Sequence, residues 1–537
     1  MALCTESTQA HAAARAAGLA PGLGIGQLWA AYTRGLAALP PFWATVIYTV
    51  ALSLPQAILA APIAVAVAGP LRGLGLLLAI GALNVITMTA MAEVVVRSST
   101  AREGHVFIGR LVAGLLGPVG SVVITAATAT LFFLALIASL LGLGATLAQF
   151  TDLPAEAWAA LSFLVGAALV ARNRTSFAVT LTVLLAGANV ALILILSLLA
   201  LRHGHPSNLA AGRATGHGAA AAVGVLLILY FAQALAVQIY PLVQARDPGG
   251  RAFVRGSAVG TVMSTVLFAG WAIAVTSAVA PKVLAAQSGT ALVPLARVIG
   301  PVGSVLGSAL VTLLLGLTAL RCMHVLHHLV RERLPKGRPD LGPSRPAASV
   351  VLLPRRTSLG AGAAADIRSH RRHWSGAPAA RRQSRLVGCL LERPRVRTLV
   401  TLLPSALASL VAERLLLSGA ASFSSLLAFT GVITVTLIGG IFPLLLLLAA
   451  RRRGGRAIAP ALRGLSSPPV VTAICALLLG NVLYQGLVVW QSAAARLCAL
   501  AVVGATSLMI LMLRRSGAFV PRVVAARSSH GAACPGQ

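Results

Sequence analysis

The sequence predicts an all-α polytopic membrane protein of about twelve transmembrane helices, built as a five-plus-five inverted repeat with two extra C-terminal helices. Three observations predict it. Of 537 residues, 58% are hydrophobic and only 10% are charged, too apolar a mixture to make a water-soluble surface. The apolar residues collect in about a dozen runs near the roughly 20 residues that a bilayer-crossing helix requires. The charge, 43 Lys plus Arg against 11 Asp plus Glu for a formal +32, falls mostly between those runs. That placement is the signature of positive-inside topology rather than of a nucleic-acid binder, and no nucleic-acid partner is expected.

The first span covers about residues 42–69 and turns at Gly69-Pro70-Leu71-Arg72-Gly73 into a second at 74–96. A basic loop with Arg97, Arg102 and Arg110 leads to the third span, 111–136, which continues as a glycine-bearing stretch to Phe150. An acidic loop with Asp152 and Glu156 precedes a short fourth span at 158–170, and Arg172 and Arg174 separate it from a fifth at 177–201. Residues 202–218 form a His- and Gly-bearing outer loop. The sixth and seventh spans fall at 219–243 and 257–280, residues 281–300 form a loop with a short helix, and the eighth span occupies 302–320. Residues 335–397 are rich in Arg, Pro, Ser and Gly and read as an unfolded cytoplasmic linker. Four spans follow at 398–417, 423–450, 470–490 and 497–513.

Alternating sides along these twelve spans places nearly all the arginines, Arg451 to Arg453 included, with both termini on the cytoplasmic side. The organisation is a cytoplasmic segment at 1–40 without a removable signal sequence, a first repeat at 41–201, the outer loop, and the first part of a second repeat at 219–334. After the linker come the end of that repeat at 398–450 and, over 451–537, two extra helices and a cytoplasmic tail. The expected location is the plasma (cytoplasmic) membrane. Six cysteines show no paired spacing, so neither a zinc site nor a disulfide framework is expected.

Lipid offers no hydrogen bonds, so a helix broken at mid-depth exposes backbone groups that can face a solute. The first span carries Pro55 and Pro62, with Gln56 beside the first. The sixth span carries Tyr230-Phe231-Ala232-Gln233, with Gln238 and Pro241 beyond. These spans open successive groups of five that start on opposite sides, the plan of carriers that bind at the bilayer midplane between discontinuous helices. The halves show no clear similarity residue by residue.

Leu54 to Pro62 followed by Gly69-Pro70 resembles the G-x-G-I-L-x-x-P first helix of the amino acid/auxin permeases of the amino acid-polyamine-organocation superfamily. Ile58, Leu59 and Pro62 match, while Pro55 and Ala57 replace the glycines. Tyr230 to Gln233 resembles the family's sixth helix, with Ala and Gln at departing positions, and residues 423–453 resemble its tenth. The resemblance implies a permease moving amino acids by alternating access, coupled to a proton or sodium gradient, with no cofactor and no catalytic residue. It implies substrate contacts at Pro55, Gln56, Ala57, Ile58 and Leu59 and at Tyr230, Phe231, Ala232 and Gln233.

Intramembrane acids are costly and therefore informative. Glu93 is the candidate proton carrier, although Arg97 lies one turn away and a structural pair is the plainer reading. For sodium, first-span carbonyls would need hydroxyls from the eighth span, where Ser308 and Thr312 are the candidates. His324, His327 and His328 read as a juxtamembrane basic helix, and anionic lipids are a partner for the arginine-rich linker. The rival classes are a membrane-embedded transferase and a non-transporting scaffold. The first would need acidic ligands or a base at the membrane face.

Overall fold

Proline sets the starts of many of the helices. Pro41, Pro62, Pro70, Pro301 and Pro468 each stand at the first or second position of a helix, where a missing N–H costs nothing and the fixed φ is already helical. The computed structural model describes residues 35, 38–98, 108–172, 175–210, 216–287, 289–334, 394–452 and 467–515. The N-terminal segment up to residue 34, the linker over 335–393 and the tail from 516 lie outside the described residues. Residues 394–397, expected in the linker, instead open a helix.

Among the described residues ten helices are long and apolar enough to cross a bilayer, and an interrupted first helix and a 17-residue fourth bring the spans to twelve. The first comprises α1a (Pro41–Leu52), a 3-10 turn (Gln56–Leu59) and α1b (Ala61–Val67). Then follow α2 (Pro70–Arg97), α3 (Ile108–Leu147), α4 (Ala155–Ala171) and α5 (Thr175–Arg202). The sixth comprises α6a (Gly216–Leu229), a 3-10 turn (Gln233–Leu235) and α6b (Ala236–Val243). Next come α7 (Arg251–Ala278), α8 (Pro301–Arg333) and α9 (Pro394–Ser418). The tenth span, α10, runs from Phe423–Thr430 through a π-helical stretch, Gly431–Ile441, to Phe442–Arg452. α11 (Pro468–Tyr484) ends in a π turn, and α12 (Ala493–Arg515) closes the described chain.

Three boundaries differ from the sequence expectation. The third span is one helix of 40 residues, kinked at Gly117, whose φ of 78° lies in the left-handed region that glycine tolerates; Pro118 then restarts the helix. The eighth continues to Arg333 rather than ending at Leu320, which puts Arg321 and the histidines inside it. Residues 281–300 hold two short helices, Pro281–Ala285 and Leu292–Ile299.

Packing follows the repeat. α2 packs on α7, α3 on α8 and α4 on α9; α1 with α7 is matched by α6 with α2, and α3 with α9 by α8 with α4. The principal pairs therefore recur when each of the first ten helices is exchanged for the one five places on, and an odd offset reverses the chain direction. Two sets emerge, α1, α2, α6 and α7 in one and α3, α4, α8 and α9 in the other, with α5 and α10 touching both. The apolar window of α10 is 100% buried against 22% for α12, so α10 is a core element and α12 a peripheral one. Small residues allow α10 to approach α6a closely: a Cβ built on Gly431 would lie 1.9 Å from the Gly224 carbonyl oxygen.

Candidate functional site

Both expected breaks are present, and they arise differently. In α1, Pro55 lacks an N–H and adopts an extended conformation (φ −90°, ψ 155°), and the chain resumes as a 3-10 turn at Gln56. In α6 no proline stands at the break. There the side-chain oxygen of Gln233 accepts from its neighbour's Ala232 N–H at 3.1 Å, replacing a helical acceptor, and the 3-10 turn starts at the same residue. Gln56-Ala57 and Gln233-Ala234 thus open equivalent turns, a correspondence between the halves that sequence reading missed.

The carbonyls released around the α1 break are taken by protein donors. Trp271 of α7 donates its indole N–H to Ile58 at 2.8 Å, the Ala291 N–H donates to Leu59 at 3.0 Å, and Arg321 of α8 reaches Leu52 at 3.3 Å. Ser53 pairs with Ser264 of α7 at 2.9 Å. Ala57, Ile58 and Leu59 are fully buried, whereas Pro55 is half-buried.

Gln56 points across to α3. Its amide donates to the Ala135 carbonyl at 3.2 Å, and the Ser139 hydroxyl is placed to donate either to the Gln56 side-chain oxygen or to the Ala135 carbonyl. From the other break, Phe231 sets its ring edge-on to Phe132 of α3, centroids 6.2 Å apart. Phe132, Ala135 and Ser139 recur at helical spacing on one face. The two broken helices therefore meet one stripe of α3, with the Arg321 guanidinium on α8 at the end of α1a. Among the described residues no carboxylate pairs with Arg321.

Tyr230 and Gln233 turn away from that stripe, and Ala232 is buried. The Tyr230 hydroxyl donates to Leu77 of α2 at 3.0 Å and its ring lies against Phe268 of α7. The Gln233 amide donates to the Asn84 side-chain oxygen and to Thr87 of α2, the latter at 2.9 Å. Beside them Asn84, Thr87, Tyr230, Gln233 and Thr436 line a cavity of about 20 Å³, room for one water.

The coupling candidates are also placed. Glu93 is completely buried between two guanidiniums, Arg97 at 3.0 Å and Arg451 at 2.8 Å. The expected pair with Arg97 is present, and Arg451 extends it into a clamp joining the ends of α2 and α10. Ser308 and Thr312 donate to carbonyls of their own helix at 2.9 and 2.8 Å, and Thr312 faces outward. Their hydroxyls donate within α8, and the α8 side chain that bonds to the α1 break is Arg321. Among the described residues no group of three or more His, Cys, Asp or Glu is placed to hold a metal ion.

No protein-family model matches the chain, and no curated protein matches it. Solved structures do. Crystal structures of two mutant forms of the Eremococcus coleocola manganese transporter each superpose with a TM-score of 0.51 at 12% identity, covering 92% of this chain and 97% of that one. The chain shares the fold of that transporter. At this identity the match carries the fold alone, and it does not reproduce the expected assignment to the amino acid-polyamine-organocation superfamily.

Proposed function

We propose that the protein is a secondary transporter that moves amino acids or similar small zwitterionic solutes by alternating access, driven by a proton gradient. The observation that carries this reading is the convergence of Gln56 and Phe231, one from each broken helix, on a single face of α3. Helix starts after a break offer N–H groups to a carboxylate, and the α6 break is the one left to offer carbonyls to an ammonium, since those of Leu52, Ile58 and Leu59 at the α1 break are taken by Arg321, Trp271 and Ala291. In this reading the backbone from Pro55 to Leu59 and from Tyr230 to Gln233 borders the solute, Gln56 and Phe231 touch it, and Tyr230 and Gln233 hold the α6 break in shape. The membrane is the plasma (cytoplasmic) membrane, with both termini inside.

The choice of ion rests on Arg321. Carbonyls at the end of α1a are where a sodium ion would find oxygen ligands, and a fixed guanidinium already donates there. A divalent metal cargo is the second reading, favoured by the likeness to a manganese transporter. Amide oxygens suit such an ion, but among the described residues the site brings no carboxylate to offset its charge, and the Arg321 guanidinium at the end of α1a repels it.

Reconstituted into liposomes, the purified protein is expected to accumulate a labelled amino acid under an inward proton gradient, equally well with sodium or choline outside. Accumulation of manganese and of no amino acid would establish the second reading; accumulation of neither would remove the transporter assignment.

A further inference from the structure

A second polar pocket opens far from the broken helices, at the end of the bundle where α4 and α8 finish and α9 begins. It has a volume of about 180 Å³ and is lined by Val170, Ala171, His327, Arg331, Arg397, Thr398 and Thr401, an order of magnitude more room than the ~15 Å³ that one water needs. Its polar lining is two guanidiniums, an imidazole and two threonine hydroxyls, with no carboxylate. His327 and Arg331 stand one turn apart on α8, as Arg397 and Thr401 do on α9, so two helices aim donors into one space. His327 is only 7% exposed, and neither its Nδ1 nor the buried Nε of Arg397 has a hydrogen-bond partner among the described residues. Buried polar atoms in proteins are ordinarily satisfied, and a guanidinium Nε beside an imidazole nitrogen that donates in one of its tautomers, both unpartnered in the lining of one hollow, point to a ligand that supplies acceptors. The first turn of α9 adds the positive end of its dipole.

We propose that this pocket binds a phosphate group. A tetrahedral dianion or monoanion presents three or more acceptor oxygens, enough for two guanidiniums and the imidazole together, and guanidinium geometry suits it; the Thr401 hydroxyl already donates to the Thr398 carbonyl at 2.8 Å. The phosphate can belong to a lipid headgroup reached from the membrane face or to a soluble phosphate. The pocket is distinct from the solute site, so its occupation bears on the packing of α4, α8 and α9 rather than on solute recognition.

The test is thermal denaturation of the full-length protein in detergent, titrated with inorganic phosphate and, separately, with dioctanoyl phosphatidylglycerol. The midpoint is expected to rise with at least one. Phosphate alone identifies a soluble anion, the lipid alone a headgroup, and both the phosphate group itself. Arg397→Gln and Arg331→Gln are each expected to weaken the apparent affinity about tenfold, the scale of one charge-assisted hydrogen bond. Arg331 is exposed, so its variant keeps the test interpretable if the Arg397 variant folds poorly. Arg452→Gln, at the same end of the bundle and outside the pocket, is expected to leave binding unchanged. No rise with either probe, or an equal loss in the Arg452 variant, would overturn the proposal.

Discussion

Replacing Glu93 with glutamine separates two roles that the sequence leaves open, a coupling carboxylate and a structural clamp. The carboxylate is completely buried and meets Arg97 at 3.0 Å and Arg451 at 2.8 Å, guanidiniums that are 11% and 14% exposed. Removing one member of a buried ion pair costs about 3–5 kcal/mol because the partner is left uncompensated. Glutamine keeps an acceptor, and both arginines retain some water, so we reduce that range to about 2–3 kcal/mol. At roughly 2.1 cal/mol/K of unfolding entropy per folded residue, summed over the helical part of the chain, the melting midpoint falls by about 2–4 °C. Arg451→Gln is expected to fall as far. Arg97→Gln falls less, because it breaks a pair within one helix rather than the tie between α2 and α10. The assay is thermal denaturation in detergent alongside uptake at several pH values in proteoliposomes. An unchanged midpoint with uptake that no longer responds to pH would refute the clamp and make Glu93 the coupling group.

Four further outcomes follow from the packing. Arg321→Gln is expected to cut uptake about tenfold, with partial recovery in Arg321→Lys, because the end of α1a loses its cation; proteoliposome uptake in sodium and in choline measures it. Tyr230→Phe removes one hydrogen bond to Leu77 and is expected to cost about 1 kcal/mol of stability with solute affinity within about twofold, as equilibrium binding would show. Gly224→Ala places a Cβ 2.3 Å from the Ala428 carbonyl oxygen and is expected to destabilise by about 1–3 kcal/mol, whereas Gly504→Ala, with open space around it, leaves the melting midpoint unchanged. Gln56→Leu is expected to lower solute affinity with little change in melting, and Gln233→Leu to do the reverse, since Gln233 bonds within its own set of helices.

The spans and both breaks were legible because each has a local cause. Hydropathy over 20 residues marks a helix in lipid, and Pro55 removes a donor wherever it sits in one. The end of α8 was not legible. Arg321 interrupts an apolar run, and a window cannot see that Leu52, far off in sequence, waits with a carbonyl for it. The same limit hid Ser139 and Phe132, which are ordinary residues of an apolar helix until α1 and α6 are folded against them. Ser308 and Thr312 illustrate the converse. Their spacing is right for a shared face, but the hydroxyls bond to their own backbone, which is the default in a helix. The matching of Gln56 with Gln233 was open to view in the sequence; what concealed it was the proline beside one and not the other.

The polar and aromatic contacts of the two broken helices sort by the two sets of helices, and the sorting bears on how such a protein moves. Ser53 with Ser264, Trp271 with Ile58, Tyr230 with Leu77 and Gln233 with Thr87 all join members of the set α1, α2, α6 and α7. They hold both broken helices to their neighbours as one body. Gln56 with Ala135, Phe231 with Phe132 and Arg321 with Leu52 cross instead to α3 and α8 of the other set. Rocking one set against the other would leave the first group intact and require the second to break, so the residues that must let go are those that face the proposed solute. A solute that satisfies Gln56 and Phe231 in place of α3 supplies the differential interaction that a shift between two states needs.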